Sequence, residues 1–264
     1  MRRLIPFINW VGGVFSATLL LMFISQPAGA WGQTGHRVIG MVAEDHLNSK
    51  TKEKLNEIMN GESLVMASTW MDEVRFNRRY RYMADWHWVT IPDGNTYAQS
   101  EKNPHGDILE VIERLVEELR SKQLTKAKER EHIKLLIHLV GDMHQPLHVG
   151  AGSDKGGNET KVKWFGKASN LHRVWDSNMI DATKLSYGKL ALSLDKLKKY
   201  EVEKLQKASI FTWAKESMDL RKQVYQIGDG NLGYGYFNKN IDNVYKRLLE
   251  AGVRLAGLLN EMYG

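Results

Sequence analysis

The chain has 264 residues, 42% of them hydrophobic and 26% charged, a composition that builds a globular core and excludes disordered and collagen-like chains. It contains no cysteine, which excludes disulfide frameworks, iron–sulfur clusters, thiolate zinc fingers and cysteine nucleophiles, so any metal must sit on nitrogen and oxygen ligands. Thirty-seven Lys and Arg against 31 Asp and Glu leave a net charge of +6, which suits an anionic partner without requiring one.

Arg2 and Arg3 lead into an apolar run that ends at Ile24, and Gln26-Pro27-Ala28-Gly29-Ala30 carries small residues at the two positions a signal peptidase reads. The pattern predicts a secretory signal peptide over residues 1–30, because Val14 to Ile24 is shorter than the ~18 apolar residues of a spanning helix. The mature chain then begins at Trp31, keeps no membrane span, and is expected to be secreted or periplasmic. Downstream, apolar residues recur at helical spacing over Val38 to Leu47, Ile108 to Leu119, Ile133 to Met143, Leu192 to Leu205 and Val244 to Leu259, with Gly and Pro mainly between these runs. Trp86 to Ile91 and Thr160 to Phe165 are short and rich in β-branched and aromatic residues, and are expected to pair as a small β-ribbon. The Lys-rich run from Asp195 to Lys207 reads as the solvated face of an amphipathic helix, and Gly228 to Tyr236 as a flexible loop before the last helix. No repeat or Pro/Ser-rich linker divides the chain, so residues 31–264 are expected to form one all-α, mainly helical domain.

His138-Leu-Val-Gly-Asp142 places an imidazole and a carboxylate four residues apart, one turn along one helix face. His172-Arg-Val-Trp-Asp176 repeats that spacing, and His148 follows the helix-ending Gln145-Pro146. These five side chains suit a borderline cation such as zinc, although each histidine taken singly is as readily a hydrogen-bonded structural residue. Asp72 and Arg75 in Trp70-Met-Asp-Glu-Val-Arg share a face, either as a surface ion pair or as an anionic ligand beside a cation for a phosphate oxygen. Trp86-His87-Trp88 reads equally as core packing or as a wall on which a base stacks. Cleavage before Trp31 would expose an α-amino group of pKa about 8, a metal ligand once deprotonated, close in sequence to His36.

At this point the sequence resembles the zinc-dependent single-strand-specific nucleases of fungi and plants, relatives of zinc phospholipase C. The resemblance is carried by WGQTGH (Trp31 to His36), WMDEVR (Trp70 to Arg75), WHWVTIP (Trp86 to Pro92), HLVGDMHQPLHVG (His138 to Gly150), DKGGNETKV (Asp154 to Val162) and NLHRVWD (Asn170 to Asp176), with AGVRLAGLLN (Ala251 to Asn260) similar to the family's closing helix. It implies a helical fold with a three-zinc cleft. In the carry-over, one zinc takes Asp72, His87, His138 and Asp142, and a second takes His148, His172 and Asp176. The third takes the Trp31 amino nitrogen and backbone oxygen with His36, and shares Asp142 as a bridge. Two cations so bridged, about 3.5–4 Å apart, can hold a hydroxide as nucleophile near neutral pH.

The resemblance further implies P–O3′ cleavage of single-stranded DNA or RNA to 5′-phosphates and action on nucleotides as 3′-nucleotidase substrates, with no stable protein partner. Asp72 would accept a hydrogen bond from the attacking water, Arg75 would steady phosphate charge, Trp88 would stack a base, and Asn158 would line the cleft rather than carry a glycan. Thr90 stands where relatives tend to carry an acid that bonds a purine edge. His46, His105, His132 and His144 are left to structural roles, with His144 expected to make a hydrogen bond at the helix end. Three rivals share parts of this pattern: a zinc phospholipase C acting on lipid head groups, an inactive metal- or nucleic-acid-binding module, and a purely structural helical protein. Asp176 argues against the phospholipase, whose subfamily typically has glutamate at that position.

Overall fold

The computed structural model describes residues 31–264, and the expected leader at 1–30 lies outside them. Helices α1 (Gln33–His46), α2 (Ser49–Ile58), α3 (Leu64–Ala67) and α4 (Trp70–Val74) are followed by a 3₁₀ segment, Arg78–His87, and a short strand, β1 (Val89–Thr90). Next come α5 (Ile108–Ser121), α6 (Lys126–Met143), a 3₁₀ turn at Pro146–His148, and β2 (Val149–Gly150). A hairpin, β3 (Lys161–Trp164) and β4 (Lys167–Asn170), feeds α7 (Leu171–Arg173), a π-helical turn (Val174–Asn178) and α8 (Met179–Ala182). The chain closes with α9 (Tyr187–Leu194), α10 (Lys199–Gln206), α11 (Ile210–Val224), β5 (Asn231–Leu232) and α12 (Tyr234–Tyr263). The domain is mainly helical, as expected.

Local chemistry sets these boundaries. Asn48, Ser63, Asp107, Thr125, Ser186 and Ser209 each cap a helix by accepting a backbone N–H two or three residues on, an interaction worth ~1 kcal/mol. α5 is amphipathic and buries Ile108, Leu109, Val111, Ile112, Leu115, Val116 and Leu119. α6 differs, because every residue from Leu135 to Met143 is buried. A helix enclosed on all sides must satisfy its polar side chains inside the protein. α1 packs between α12 and α3 and brings a second buried histidine, His36, toward α6.

Three local expectations are corrected. The segments Trp86 to Ile91 and Thr160 to Phe165 do not pair with each other: β1 pairs in parallel with β2, through Val89 with Val149 and Thr90 with Gly150. β3 instead pairs antiparallel with β4 and in parallel with β5. The hairpin wins because its two-residue turn, Phe165 at φ +46° and Gly166 at φ +78°, has the positive φ angles that match strand twist and closes a short loop. The run from Leu192 to Leu205 breaks into α9 and α10, since Asp195 leaves the helix in extended backbone and meets His46 at 2.9 Å, while Glu201 accepts the Lys198 N–H to start α10. Gly228 to Tyr236 is not simply a loop: it holds β5 and the first residues of α12, and the Lys163 N–H donates to the Gly230 carbonyl.

Candidate metal centre

His138 and Asp142 face inward from the enclosed part of α6. His138 donates Nδ1–H to the Ser68 carbonyl at 2.8 Å, which leaves Nε2 with a free lone pair at 3.4 Å from Asp142 Oδ2. His36 stacks on His138 with ring centroids 4.0 Å apart and turns Nε2 to Asp142 Oδ1 at 3.3 Å. A Cβ on Gly141 would press to 3.0 Å on His36 Nδ1, so glycine there gives the ring its room. His87 does not lie in a strand; it closes the 3₁₀ segment and turns Nδ1 to Asp142 Oδ2 at 2.9 Å. The two oxygens of Asp142 therefore face different histidines, the disposition of a bridging carboxylate.

A second cluster forms beside the first. His148 donates Nδ1–H to the His87 carbonyl at 2.6 Å and holds Nε2 3.8 Å from Asp176 Oδ1. His172 donates Nδ1–H to the Gly156 carbonyl at 2.6 Å and holds Nε2 3.2 Å from Asp176 Oδ2. Asp176 sits in the π-helical turn rather than an ordinary α turn, a local widening frequent at functional sites. Gly156 has φ +60°, and a Cβ there would lie 2.2 Å from the Leu147 carbonyl oxygen, so only glycine presents its carbonyl to His172 from this turn. Asp154 braces the same turn by accepting from the Gly157 N–H, the Thr160 hydroxyl and the Tyr225 hydroxyl.

Trp31 is fully buried, and its indole N–H donates to the Gly141 carbonyl at 2.9 Å. The next residue, Gly32, donates its N–H to the Asp176 carbonyl at 2.7 Å. The first described residues are thus pinned between α6 and the turn that carries Asp176. Three groups of side chains have ligand atoms within 4.8 Å of one another: His36, His138 and Asp142; Asp72, His87 and His138; His148, His172 and Asp176.

Both ring nitrogens of His36, Nε2 of His138 and of His148, Oδ1 of Asp142 and Oδ2 of Asp176 are buried without a hydrogen-bond partner. Each such atom costs about 1–3 kcal/mol when unpaired, and their convergence fits a cation. Electrostatics agree for most of these groups, the exception being His172, where burial is outweighed by the Asp176 carboxylate and the ring is raised. Burial, reinforced by neighbouring histidines, holds His36 and His148 well below the ordinary imidazole range, and burial lowers His87 as well, so these rings are neutral and able to ligate. Burial pushes the Asp142 carboxyl well above its ordinary range and raises Asp176, the cost of enclosing carboxylates without counter-charge. A bound cation reverses that cost.

The clusters open on a cleft of about 680 Å³, whose lining includes Asp72, Arg75, His87, Trp88, Thr90, His148, Asn158 and His172. Asp72 and Arg75 make an i, i+3 pair at 3.4 Å and also line the cleft. Trp88 is 41% exposed and is therefore a wall rather than core. Asn158 donates Nδ2–H to the Lys155 carbonyl at 2.9 Å.

Residues 31–264 match the S1/P1 Nuclease family along their whole length. The chain belongs to that family. It is 29% identical to Endonuclease 2 of Arabidopsis thaliana over 280 residues, covering 94% of this chain and 95% of the relative. It is 32% identical to Endonuclease 3 of the same plant over 274 residues, 93% of each. With Nuclease P1 of Penicillium citrinum it shares 24% identity over 268 residues, 89% of this chain and 98% of the relative. This S1/P1 nuclease is a metal-dependent hydrolase whose substrate is nucleic acid. The phospholipase reading is not favoured, since each of these relatives is named for nuclease activity. No helix among the described residues is long and apolar enough to cross a membrane.

Sequence reading passed over several residues that position this centre. Gln145 is fully buried, donates Nε2–H to Asp176 Oδ1 at 2.6 Å and accepts the Leu147 N–H; its signal was its place in Gln145-Pro-Leu-His148, read only as a helix end. The carbonyls of Ser68, His87 and Gly156 leave no side-chain signal at all. His144 does make helix-end hydrogen bonds, donating to the Val140 carbonyl at 2.7 Å and accepting from Arg254 at 2.9 Å. His46 and His132 meet Asp195 and Glu118. Gly228 to Tyr236 contributes nothing to the cleft lining.

Proposed function

We propose that the mature enzyme begins at Trp31, is exported to the periplasm or the medium, and uses three zinc ions to cut single-stranded DNA and RNA at the P–O3′ bond, leaving 5′-phosphates and also dephosphorylating 3′-nucleotides. One observation carries this reading: eight ligand-type side chains converge in three groups, two of which share His138, most of them with buried, partnerless atoms, beside an open cleft. Asp72, His87, His138 and Asp142 hold one ion, and His148, His172 and Asp176 a second. His36, Asp142 and the amine and carbonyl of Trp31 hold the third. Bound zinc supplies Lewis acidity, which lowers the pKa of water and neutralises phosphate charge.

The chain's own groups do the rest. Asp72, half-buried in the cleft wall, accepts a hydrogen bond from the attacking water and orients it in line with the leaving oxygen. Arg75, kept at the same wall by its contact with Asp72, donates to non-bridging phosphate oxygens as their charge grows. The exposed face of Trp88 stacks one base and tolerates all four. Asn158 adds an amide donor, and the short neutral Thr90 gives little purine discrimination.

Elemental analysis, cleavage and melting of protein starting at Trp31 test this together. Three zincs per chain, cleavage abolished by chelator, and a melting temperature lowered by roughly 10 °C on metal removal are expected. Full activity and three ions after one residue is added before Trp31 would remove the terminal amine from the ligand set. A melting curve unmoved by chelator would overturn the metal reading.

A further inference from the structure

The segment between Phe76 and Trp88 carries positive charge for which the reaction centre has no use. Arg78–His87 is ten residues of 3₁₀ turns, ~20 Å long at about 2 Å per residue. Its flanks line the cleft, through Arg75 and Phe76 before it and Trp88 after it. In a 3₁₀ helix every third residue falls in one row. Arg78, Arg81, Ala84 and His87 form such a row, and its last two members line the cleft. The row therefore runs from open surface to the reaction site.

Arg78, Arg79 and Arg81 are exposed, and none of them forms an ion pair with a carboxylate among the described residues, whereas Arg114, Arg120 and Lys128 on α5 and α6 each do. The ten residues contain one acid, Asp85. Aromatic rings interleave with the cations: Phe76 is 70% exposed and Tyr82 52%, and Arg79 lies 5.5 Å from the Tyr80 ring centroid. Cations without a carboxylate partner beside exposed rings match a flexible polyanion that carries stacking faces.

We propose that this segment is a track for the strand of a single-stranded polynucleotide that continues beyond the scissile phosphate, with Arg78 and Arg81 of the row and the neighbouring Arg79 on its phosphates and Phe76 and Tyr82 offering faces to its bases. The inference rests on the nuclease reading of the cleft and adds that long strands are gripped outside it. A dinucleotide is too short to reach the track.

The test compares the zinc-loaded wild-type enzyme with the triple variant Arg78→Ala, Arg79→Ala, Arg81→Ala on a long single-stranded oligonucleotide and on a dinucleotide monophosphate, over a range of salt. For the oligonucleotide, KM should rise about tenfold at low salt, and the slope of log KM against log salt should flatten by about 2 for three lost phosphate contacts. Its kcat, and kcat/KM on the dinucleotide, should stay unchanged. The triple Arg→Lys variant, which keeps the charge, should retain most of the salt slope and guards against a folding artefact. Equal losses on both substrates, or an oligonucleotide KM and salt slope matching wild type, would overturn the track. Failure of the wild-type enzyme to cleave either substrate would instead overturn the nuclease reading beneath it.

Discussion

Two clusters of buried charge meet the last turns of α6, and they are built on opposite plans. In the first, Arg247 donates from Nη1 to Glu216 and Glu250, both at 2.7 Å, from Nη2 to the Trp213 carbonyl and the Ser217 hydroxyl, and from Nε to the His144 carbonyl. Arg254 adds two bonds to Glu216 and one to His144. Cations and carboxylates answer each other there, and only Nε of Arg254 and the Trp213 indole N–H are left buried without a hydrogen-bond partner. In the second, around Asp142, imidazoles and carboxylates point at one another with orphaned atoms. The contrast teaches how to separate architecture from a site: opposite charges pair off in the first cluster, whereas in the second ligand-type atoms converge without partners.

The contrast can be broken or sharpened by substitution. Asp142→Asn should remove the carboxylate proposed to serve two ions and lower cleavage by on the order of 10³-fold, with metal content falling further than in His148→Asn; equal metal retention in the two variants, read by elemental analysis, would remove the bridging role. Arg247→Met should strip Glu250 of its 2.7 Å partner and leave Glu216 to Arg254 alone, destabilising the fold by about 3–5 kcal/mol while the folded fraction keeps its full metal complement, which denaturant unfolding and elemental analysis would check. Gln145→Leu takes away the donor that fixes Asp176 and should weaken the ion at His148, His172 and Asp176 by roughly 10- to 100-fold, measurable by chelator competition, with little change in melting of the metal-free protein.

The smallest effect is expected at low pH. Burial raises the Glu216 carboxyl, but its hydrogen bonds and charge attraction to Arg254 and Arg247 outweigh that and leave it below its ordinary value of 4.5. A lowered carboxyl contributes stability that is fully present above 4.5 and is lost as pH falls through the lower folded value. Wild type should therefore lose its advantage over Glu216→Gln only on the acid side of that point. The half-exposed side chain keeps the difference modest through solvent screening. A stability gap that stays constant down to the acid limit in parallel melts would show that the pairing carries no such linkage.

Much of this was legible because its signals are local. The period of the apolar residues placed α1, α5, α6 and α12, and the i, i+4 spacing put His138 beside Asp142 and His172 beside Asp176 on single turns. The pairing of β1 with β2 was not legible, since two-residue strands joined across a long stretch of chain have no periodicity to read. The break at Asp195 depended on His46, a partner on another helix. Nothing local in the sequence marks Arg247 and Arg254 either, because their partner Glu216 comes from α11.

By itself, then, the sequence determined the helical class, the absence of thiolate chemistry and the kinds of side chain available to hold a metal, because composition, period and spacing act over one or two turns. Tertiary structure alone decided that His36, Asp72, His87 and the α6 pair share one centre, which oxygen of Asp142 faces which ring, and that Gln145 and three backbone carbonyls hold the ligands in place. Those facts depend on how α1, α4, α6 and α7 pack, and packing joins residues as far apart as Trp31 and Gly141, whose contact is specified by burial and hydrogen bonding rather than by any local pattern.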